Sequence, residues 1–572
     1  MIEQDIPPAI QEETWWATAD APVRTASRVA FLIDGRMTML AMCHTFLSAK
    51  HTIYIAAWGL TPDLLLVRGK HHRAGPDGSP EQKELLAWLS AKGLSEEELH
   101  FWQNCEELSV KNVLSYAVSK GVDVRVLLWN TYALPFMAGP KQVQEALEEV
   151  GVLCLLDDSH MGLLNHLLTA HHQKTVVVDG HCAFVGGIDM MMENNGDHDR
   201  WDTKGHPYQH LLRLGKNEFI PHSWHDVHML FEGPAVFDVE HNFLQRWNAV
   251  VELHEMKPEL YVPEPQPAEA SAALESAIRI QVTRTIPNRT YPFAAEDGIA
   301  TILETYQKAF AQAKRSIYIE NQYFWRRTFL GLENPLLGPP HPDMEQLLQT
   351  LADALSRGVV LTLVLPDNPN VGREFTDDGL NYLWEIAPKA VASGALHVYT
   401  LGTSLRKEDR VLYRPIYVHG KVAIVDDEWM TVGSANLNNR GMRDDTEMNV
   451  AIQDKRIARA MRILLMAEHL GLSDEDTLFR IIEVLGQPHL SDEVAALSDD
   501  LRPLWLKLER QLADPFEGMA LFAQQAKANL LAIKAQQPLV GHLVPYIPHS
   551  RAKEYEVEVN PVNGWLETLP NA

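Results

Sequence analysis

Only four cysteines occur in 572 residues, Cys43, Cys105, Cys154 and Cys182, and none stands in a CxxC or other metal-ligand spacing. A disulfide framework and a thiolate zinc centre are therefore disfavoured, and a reducing compartment fits best. Long apolar runs are missing as well. The longest, around Val359 to Leu365, fall far short of the roughly 18 residues that a membrane-spanning helix needs. Positive charge is scarce: 50 Lys and Arg against 76 Asp and Glu leave a formal charge of −26. That balance argues against a nucleic acid as main partner, because phosphate-backbone binding rests on clustered basic groups. The first eight residues, acidic and containing two prolines, lack the basic and apolar regions of a secretory signal. A chain of this length with 46% hydrophobic residues can nevertheless bury a large core and form two or more domain-sized units.

What is present is a duplication. His172 to Asp179 and His419 to Asp426 both read HxKxxxxD. The β-branched run after each lysine predicts a strand, with His and Lys projecting from one face. A turn follows each Asp (Asp179-Gly180, Asp426-Asp427), then a second apolar run, then Gly186-Gly187 or Gly433-Ser434. Around these hairpins the order of elements repeats. The first half has a strand Val29 to Ile33, a helix after Asp34-Gly35, a strand Ile53 to Trp58, a helix Val113 to Lys120 and a buried strand Val122 to Trp129. The second has a helix from Asp297-Gly298 through Ala313, a strand around Ile317, a helix Met344 to Arg357 and a buried strand Val359 to Leu365. Lys50 to Ile55 matches Lys314 to Ile319 position for position. Alternating helices and buried strands predict an α/β sheet in each half.

Residues 1–28 read as a lead-in whose Trp15-Trp16 pair is expected to pack on the body, with contact to a membrane interface as the alternative. Residues 29–256 form the first half and 281–472 the second. Between them, 257–280 is a Pro-rich linker, and 473–572 is a helical C-terminal extension to which no chemistry is assigned. Gly69 to Pro80 reads as a surface loop. The acidic stretch Glu193 to Asp199 lacks the alternation and closing Glu of an EF-hand and reads as a solvated loop rather than a calcium site.

Two imidazoles and two ammonium groups converging on one phosphorus suit phosphoryl transfer without a metal. One neutral His attacks phosphorus, the other, protonated, donates to the leaving oxygen, and the lysines stabilise nonbridging oxygens. Each His needs an acceptor to fix its tautomer. Asp202 and Glu447 lie at comparable distances after the two motifs and are the candidates. His171 should face away from its neighbour His172 and pack.

The two motifs, with Gly186-Gly187-Ile188-Asp189 and Gly433-Ser434-Ala435-Asn436 behind them, resemble the phospholipase D superfamily. Ile317 to Phe324, Trp224 to His228, Ile416 to Lys421, Gly433 to Arg440 and Glu468 to Leu472 resemble its two-motif, eukaryotic-type phospholipases, in family order from about Val29 to Leu472. The resemblance implies a pseudo-twofold pair of α-β-α sandwiches with one active site between them. It implies hydrolysis of the headgroup-side phosphodiester to phosphatidic acid, often with transfer to an alcohol. By motif position His172 is the nucleophile and His419 the acid/base, although the near-symmetric motifs allow the reverse. Lys174, Lys421 and Asn436 bind phosphate, Asp202 and Glu447 orient the histidines, and Asp179 and Asp426 are structural. Gly441 stands where a Ser is common in the family, a change expected to alter local packing.

The rival readings are a nuclease or other phosphodiesterase, a cardiolipin synthase-like transferase and a noncatalytic lipid-binding protein. Trp58, Trp201, Tyr323, Trp325 and Tyr417 are candidates for a headgroup cage, with core packing the alternative. No metal ligands are assigned and no cofactor is expected to be required, with Ca²⁺ or Mg²⁺ at most stimulating. The expected partner is a phospholipid reached by peripheral membrane contact, not a nucleic acid. A cytoplasmic or peripheral-membrane location is expected, and the absent signal also permits export by a signal-independent secretion machine of the kind that delivers some bacterial relatives.

Overall fold

A computed structural model describes residues 15–566 apart from 19, 68–79, 132–138, 161–168, 194–197, 200–222, 266–277, 295, 330–336, 370, 474 and 486–492. The Gly69 to Pro80 loop, apart from Pro80 itself, therefore lies outside the described residues, as do Trp201, Asp202 and the middle of the acidic stretch.

Two sheets carry the duplication. The first runs in the order Arg28–Ile33, Val227–Glu232, Cys182–Gly186, Thr175–Val178, Thr52–Ala57, Asp123–Trp129, Leu153–Asp157. The second contains the same path as Ile278–Ile286, Glu447–Gln453, Trp429–Gly433, Val422–Val425, Ser316–Glu320, Val360–Val364, Leu396–Lys407. The crossover strands pair in parallel in both halves, Thr52–Ala57 with Asp123–Trp129 and Ser316–Glu320 with Val360–Val364. Their all-buried interiors explain why they read as continuous apolar runs. Helices Gly35–Ser48 and Val110–Ser119 pack together on one face of the first sheet, and Val236–Leu253 covers the other. Thr301–Gln312 and Pro342–Ser356, against Lys455–His469, repeat the arrangement in the second half. The halves meet where Cys182–Gly186 and Val227–Glu232 contact Trp429–Gly433, within one continuous apolar core.

The motif aspartates show why each hairpin closes as it does. Asp179 accepts hydrogen bonds from the N–H groups of Lys50, His51 and Thr52 at 2.7–2.8 Å. Asp426 accepts from Lys314, Arg315 and Ser316 at the same lengths. Both sit at positive φ, 54° and 56°, a conformation that Asp tolerates better than most residues. Each Asp therefore shapes its hairpin turn and also ties it to the start of the neighbouring strand.

Three features differ from expectation. The hairpin strands begin at Thr175 and Val422, just after each lysine, so His and Lys stand on the segments entering the strands. Strand Ser223–His225, from the first half, pairs in parallel with Arg410–Val418 of the second sheet. The C-terminal extension is a strap as well as a set of helices: Glu475–Leu485 packs on Arg28–Ile33, while Leu543–Pro545 joins the second sheet and Trp565 is fully buried. The Trp15-Trp16 pair is buried, with Trp15 stacked on Trp429.

Candidate active site

The strand register defines the site. His228 pairs with Gly186 in the first sheet, as Asn449 pairs with Gly433 in the second. Asp226 is thus the counterpart of Glu447, and each belongs to the opposite half's histidine. His172 Nδ1 lies 2.9 and 3.0 Å from the two Glu447 carboxylate oxygens. His419 Nδ1 lies 2.7 Å from Asp226 Oδ2. The preceding residues complete the exchange: His172 N–H donates to the Thr446 carbonyl at 2.9 Å, and His419 N–H to the His225 carbonyl at 2.7 Å. Each histidine is held at ring and main chain by two consecutive residues from the other half.

Asp226 therefore contacts His419, and Glu447 reaches across to His172 rather than to the histidine of its own motif; Asp202 lies outside the described residues. Sequence spacing missed Asp226 because the first half carries a longer segment between its hairpin and the next strand. The duplicated register would have located it, since Asp226 stands immediately before Val227 as Glu447 stands before Met448.

The small residues after each hairpin serve these carboxylates. A side chain on Gly187 would collide with the Asp226 carboxylate. Ser434, in the corresponding place, donates its hydroxyl to Glu447 Oε2. Burial and the nearby Asp445 charge push the Glu447 carboxyl well up, opposed by the Ser434 hydrogen bond and the Lys174 and Lys421 charges.

The two lysines have unequal surroundings. Lys174 Nζ is 3.0 Å from Asp189 Oδ2, and Asp189 Oδ1 accepts from the N–H groups of Trp58 and Gly59. Lys421 Nζ donates to the His419 carbonyl and to Gln322 Oε1, which also accepts from Asn436 Nδ2 at 3.1 Å. Gln322, which sequence reasoning left without a role, therefore joins the two phosphate-binding candidates Lys421 and Asn436.

The aromatic candidates divide. Trp58 stands edge-on to His172, and Tyr417 lies beside His419 with the buried Trp224. The Tyr417 hydroxyl is taken up by Gln322 and the Pro369 carbonyl. Trp325 is buried against Phe329, Phe375 and Tyr323, so it belongs to the core and not to a cage. His171 is buried beside Asp157, Tyr291 and Thr446 in a packing role. At Gly441 any side chain would run into the Asn436 backbone, so the turn that follows Asn436 requires glycine there.

Two family models match the chain, one described as "Phospholipase D" over residues 102–330 and one as "Cardiolipin synthase, PLD-like domain" over 306–465. The chain belongs to the phospholipase D superfamily. Among similar proteins, phospholipase D1 of Saccharomyces cerevisiae is 23% identical over 79% of this chain and 29% of its own length. Phospholipase D alpha 1 of Nicotiana tabacum is 26% identical over 76% of this chain and 63% of its own length. The chain thus spans less than two thirds of either superfamily member. Both are eukaryotic, which gives no support to a bacterial source. A solved structure, phosphatidylserine synthase of Haemophilus influenzae, aligns with a TM-score of 0.44 at 14% identity, over 87% of this chain and 97% of its own.

Proposed function

We propose that this chain is a phospholipase D, cleaving the headgroup-side phosphodiester of glycerophospholipids to give phosphatidic acid. The observation that carries the reading is the crossed pairing, His172 with Glu447 and His419 with Asp226. Relatives named phospholipase D, of whose own length the chain spans 29% and 63%, support it. An acid on each Nδ1 fixes the tautomer, and the chemistry is assigned to the Nε2 atoms.

Neutral His172 attacks phosphorus through Nε2. The bond to the headgroup oxygen breaks, and protonated His419 supplies the proton that oxygen needs. Water then gives a proton back to His419 and attacks the phosphohistidine, whose P–N bond breaks to release phosphatidic acid and free His172. A primary alcohol in place of water yields a phosphatidylalcohol. Lys174, Lys421 and Asn436 hold the nonbridging oxygens. The four His and Lys groups are proposed to suffice for this step, with Ca²⁺ or Mg²⁺ acting only as a stimulant. The enzyme would meet its substrate by peripheral contact with a membrane; no described helix is long and apolar enough to cross one.

The test offers mixed phospholipid vesicles and a primary alcohol to the purified protein and to its His172→Ala and His419→Ala forms. Phosphatidic acid or phosphatidylalcohol from the wild type alone supports the reading. Cleavage of single-stranded DNA without any lipid product replaces it with the nuclease.

A further inference from the structure

Three motif-like stretches, Trp224 to His228, Ile317 to Phe324 and Glu468 to Leu472, also carry histidines and a carboxylate that the chemistry above does not use: His225, Glu320 and His469. The fold brings one histidine or carboxylate from each to a single buried point. His225 Nε2 is 2.7 Å from Glu320 Oε2, and His469 Nε2 is 2.8 Å from Glu320 Oε1. On its other side His225 Nδ1 is 3.1 Å from Asp34 Oδ1. His225, Glu320 and His469 are wholly buried, and Asp34 is 1% exposed.

The hydrogen-bond pattern fixes the proton inventory. Both ring nitrogens of His225 face carboxylate oxygens. A neutral ring would point one lone pair at a carboxylate, an arrangement too unfavourable to bury. Asp34 Oδ1 already accepts the Asp226 N–H at 3.1 Å, and Glu320 Oε1 accepts the Tyr318 hydroxyl. The ring is thus a doubly donating imidazolium. Burial opposes its charge, but Glu320 and Asp34 outweigh burial and raise its pKa well above the ordinary value. Among the described residues the other titratable groups against it are Glu468, 3.5 Å from Nδ1, and His469.

This ring stands directly behind the acid/base histidine. The His225 carbonyl accepts the N–H groups of His419 at 2.7 Å and Gly420 at 3.1 Å. The next residue, Asp226, holds His419 Nδ1. Asp34 grips both residues, through the His225 ring and through the Asp226 main chain, whose carbonyl accepts the Asp34 N–H at 2.8 Å. The counterpart of His225 in the other half is Thr446, whose hydroxyl meets only His171 among the described contacts. Among the described residues a histidine held between two carboxylates stands behind His419, whereas behind His172 the neighbouring Asp445 pairs with Arg440 and accepts the Ala170 N–H at 2.8 Å.

We propose that His225, locked as an imidazolium between Asp34 and Glu320, is a positioning residue for His419, fixing the carbonyl and the carboxylate that hold it. The proposal rests on the phosphodiesterase reading for its kinetic test and on none for its spectroscopic one. With dioctanoyl phosphatidylcholine, His225→Gln should lower kcat about 10- to 100-fold with KM within about twofold, at unchanged folded content. Because part of the effect passes through Asp226, His225→Gln/Asp226→Asn should be slowed by less than the product of the two single-variant factors. In the ¹⁵N-histidine-labelled wild type both His225 nitrogens should carry protons at pH 7. The downfield Nδ1–H signal of His419 should be present there and lost in His225→Gln. A folded His225→Gln protein with wild-type kcat overturns the proposal, as does a fully additive double variant. So do a singly protonated His225 and a stoichiometric transition metal at His225, Glu320 and His469, the alternative use of the same donors. If the wild type cleaves no lipid, the phospholipase reading fails and the NMR signals alone decide this one.

Discussion

Asp226 reaches a histidine 193 positions away, and its value to that ring is orientation more than charge. Replacing it by Asn keeps the shape but offers an amide that can stabilise the wrong tautomer. Asp226→Asn is expected to lower kcat by roughly 10²–10⁴ with KM little changed, as substitution of an orienting carboxylate does elsewhere. Glu447→Gln should behave alike toward His172, and steady-state kinetics on a soluble short-chain phospholipid separate kcat from KM. A drop confined to KM would mean that these carboxylates bind substrate instead. At this scale the sequence revealed the His and Lys pairs, because duplication repeats their spacing. It did not reveal Asp226, because the first half lengthens the chain between hairpin and strand; Asp202, the acid that spacing singled out, lies outside the described residues. Nor did it separate Trp325 from a headgroup cage, since an aromatic beside a strand reads the same whether it faces core or cleft.

The hairpin with its motif Asp is the element that repeats most faithfully. Asp179 and Asp426 each collect three main-chain N–H groups, charge-assisted bonds that no hydrophobic replacement restores. Asp426→Ala should destabilise the second half by about 2–3 kcal/mol, combining lost charged hydrogen bonds with a positive φ that Ala tolerates poorly. Asp426→Asn, which keeps an acceptor and the backbone preference, should cost less. Denaturant unfolding measures both, and equal losses for Ala and Asn would contradict this role. The sequence placed these aspartates at turns but left their acceptor function hidden, because their partners lie on a strand over a hundred residues earlier. The same holds for Ser223–His225, which leaves its own half to pair with the other sheet. No local periodicity records such an exchange.

At the scale of the molecule, buried histidines contribute to the response to acid. Burial, reinforced by Lys92 and Arg28, holds His44 down to about 3. Burial with Lys174 holds His228 to about 3 as well, and burial with the neighbouring His171 holds His160 to about 4. The unfolded chain takes up these protons near the ordinary histidine pKa of about 6.5, whereas the folded chain resists them. Their stabilising contribution is therefore complete above about pH 6.5 and is lost as pH falls toward 4 and then 3. The slope is up to about 1.4 kcal/mol per pH unit for each group. His225 has the opposite sign: its contribution is complete below about pH 6.5 and is lost only as pH rises through its raised value. Chemical denaturation between pH 7 and 4.5 should show falling stability, with a shallower slope in His44→Phe; a flat profile would contradict the neutral assignment.

At this scale the fold was legible as two copies of one α/β plan, since both strand orders follow from the repeated elements. The strap formed by the C-terminal extension was not, because its contacts join segments with no repeat to reveal them. The claim that one site is built from both halves, with His172 as nucleophile and His419 as acid/base, has a direct test. In His419→Ala, a phosphatidyl ester of p-nitrophenol needs no acid to depart, yet the intermediate lacks the base that would activate water. Rapid quenching and mass spectrometry should then find an acid-labile phosphatidyl adduct accumulating on His172, and none in His172→Ala. An adduct on His419 in His172→Ala, with none on His172 in His419→Ala, would reverse the roles, and lipid turnover without an adduct on either histidine would contradict the mechanism itself.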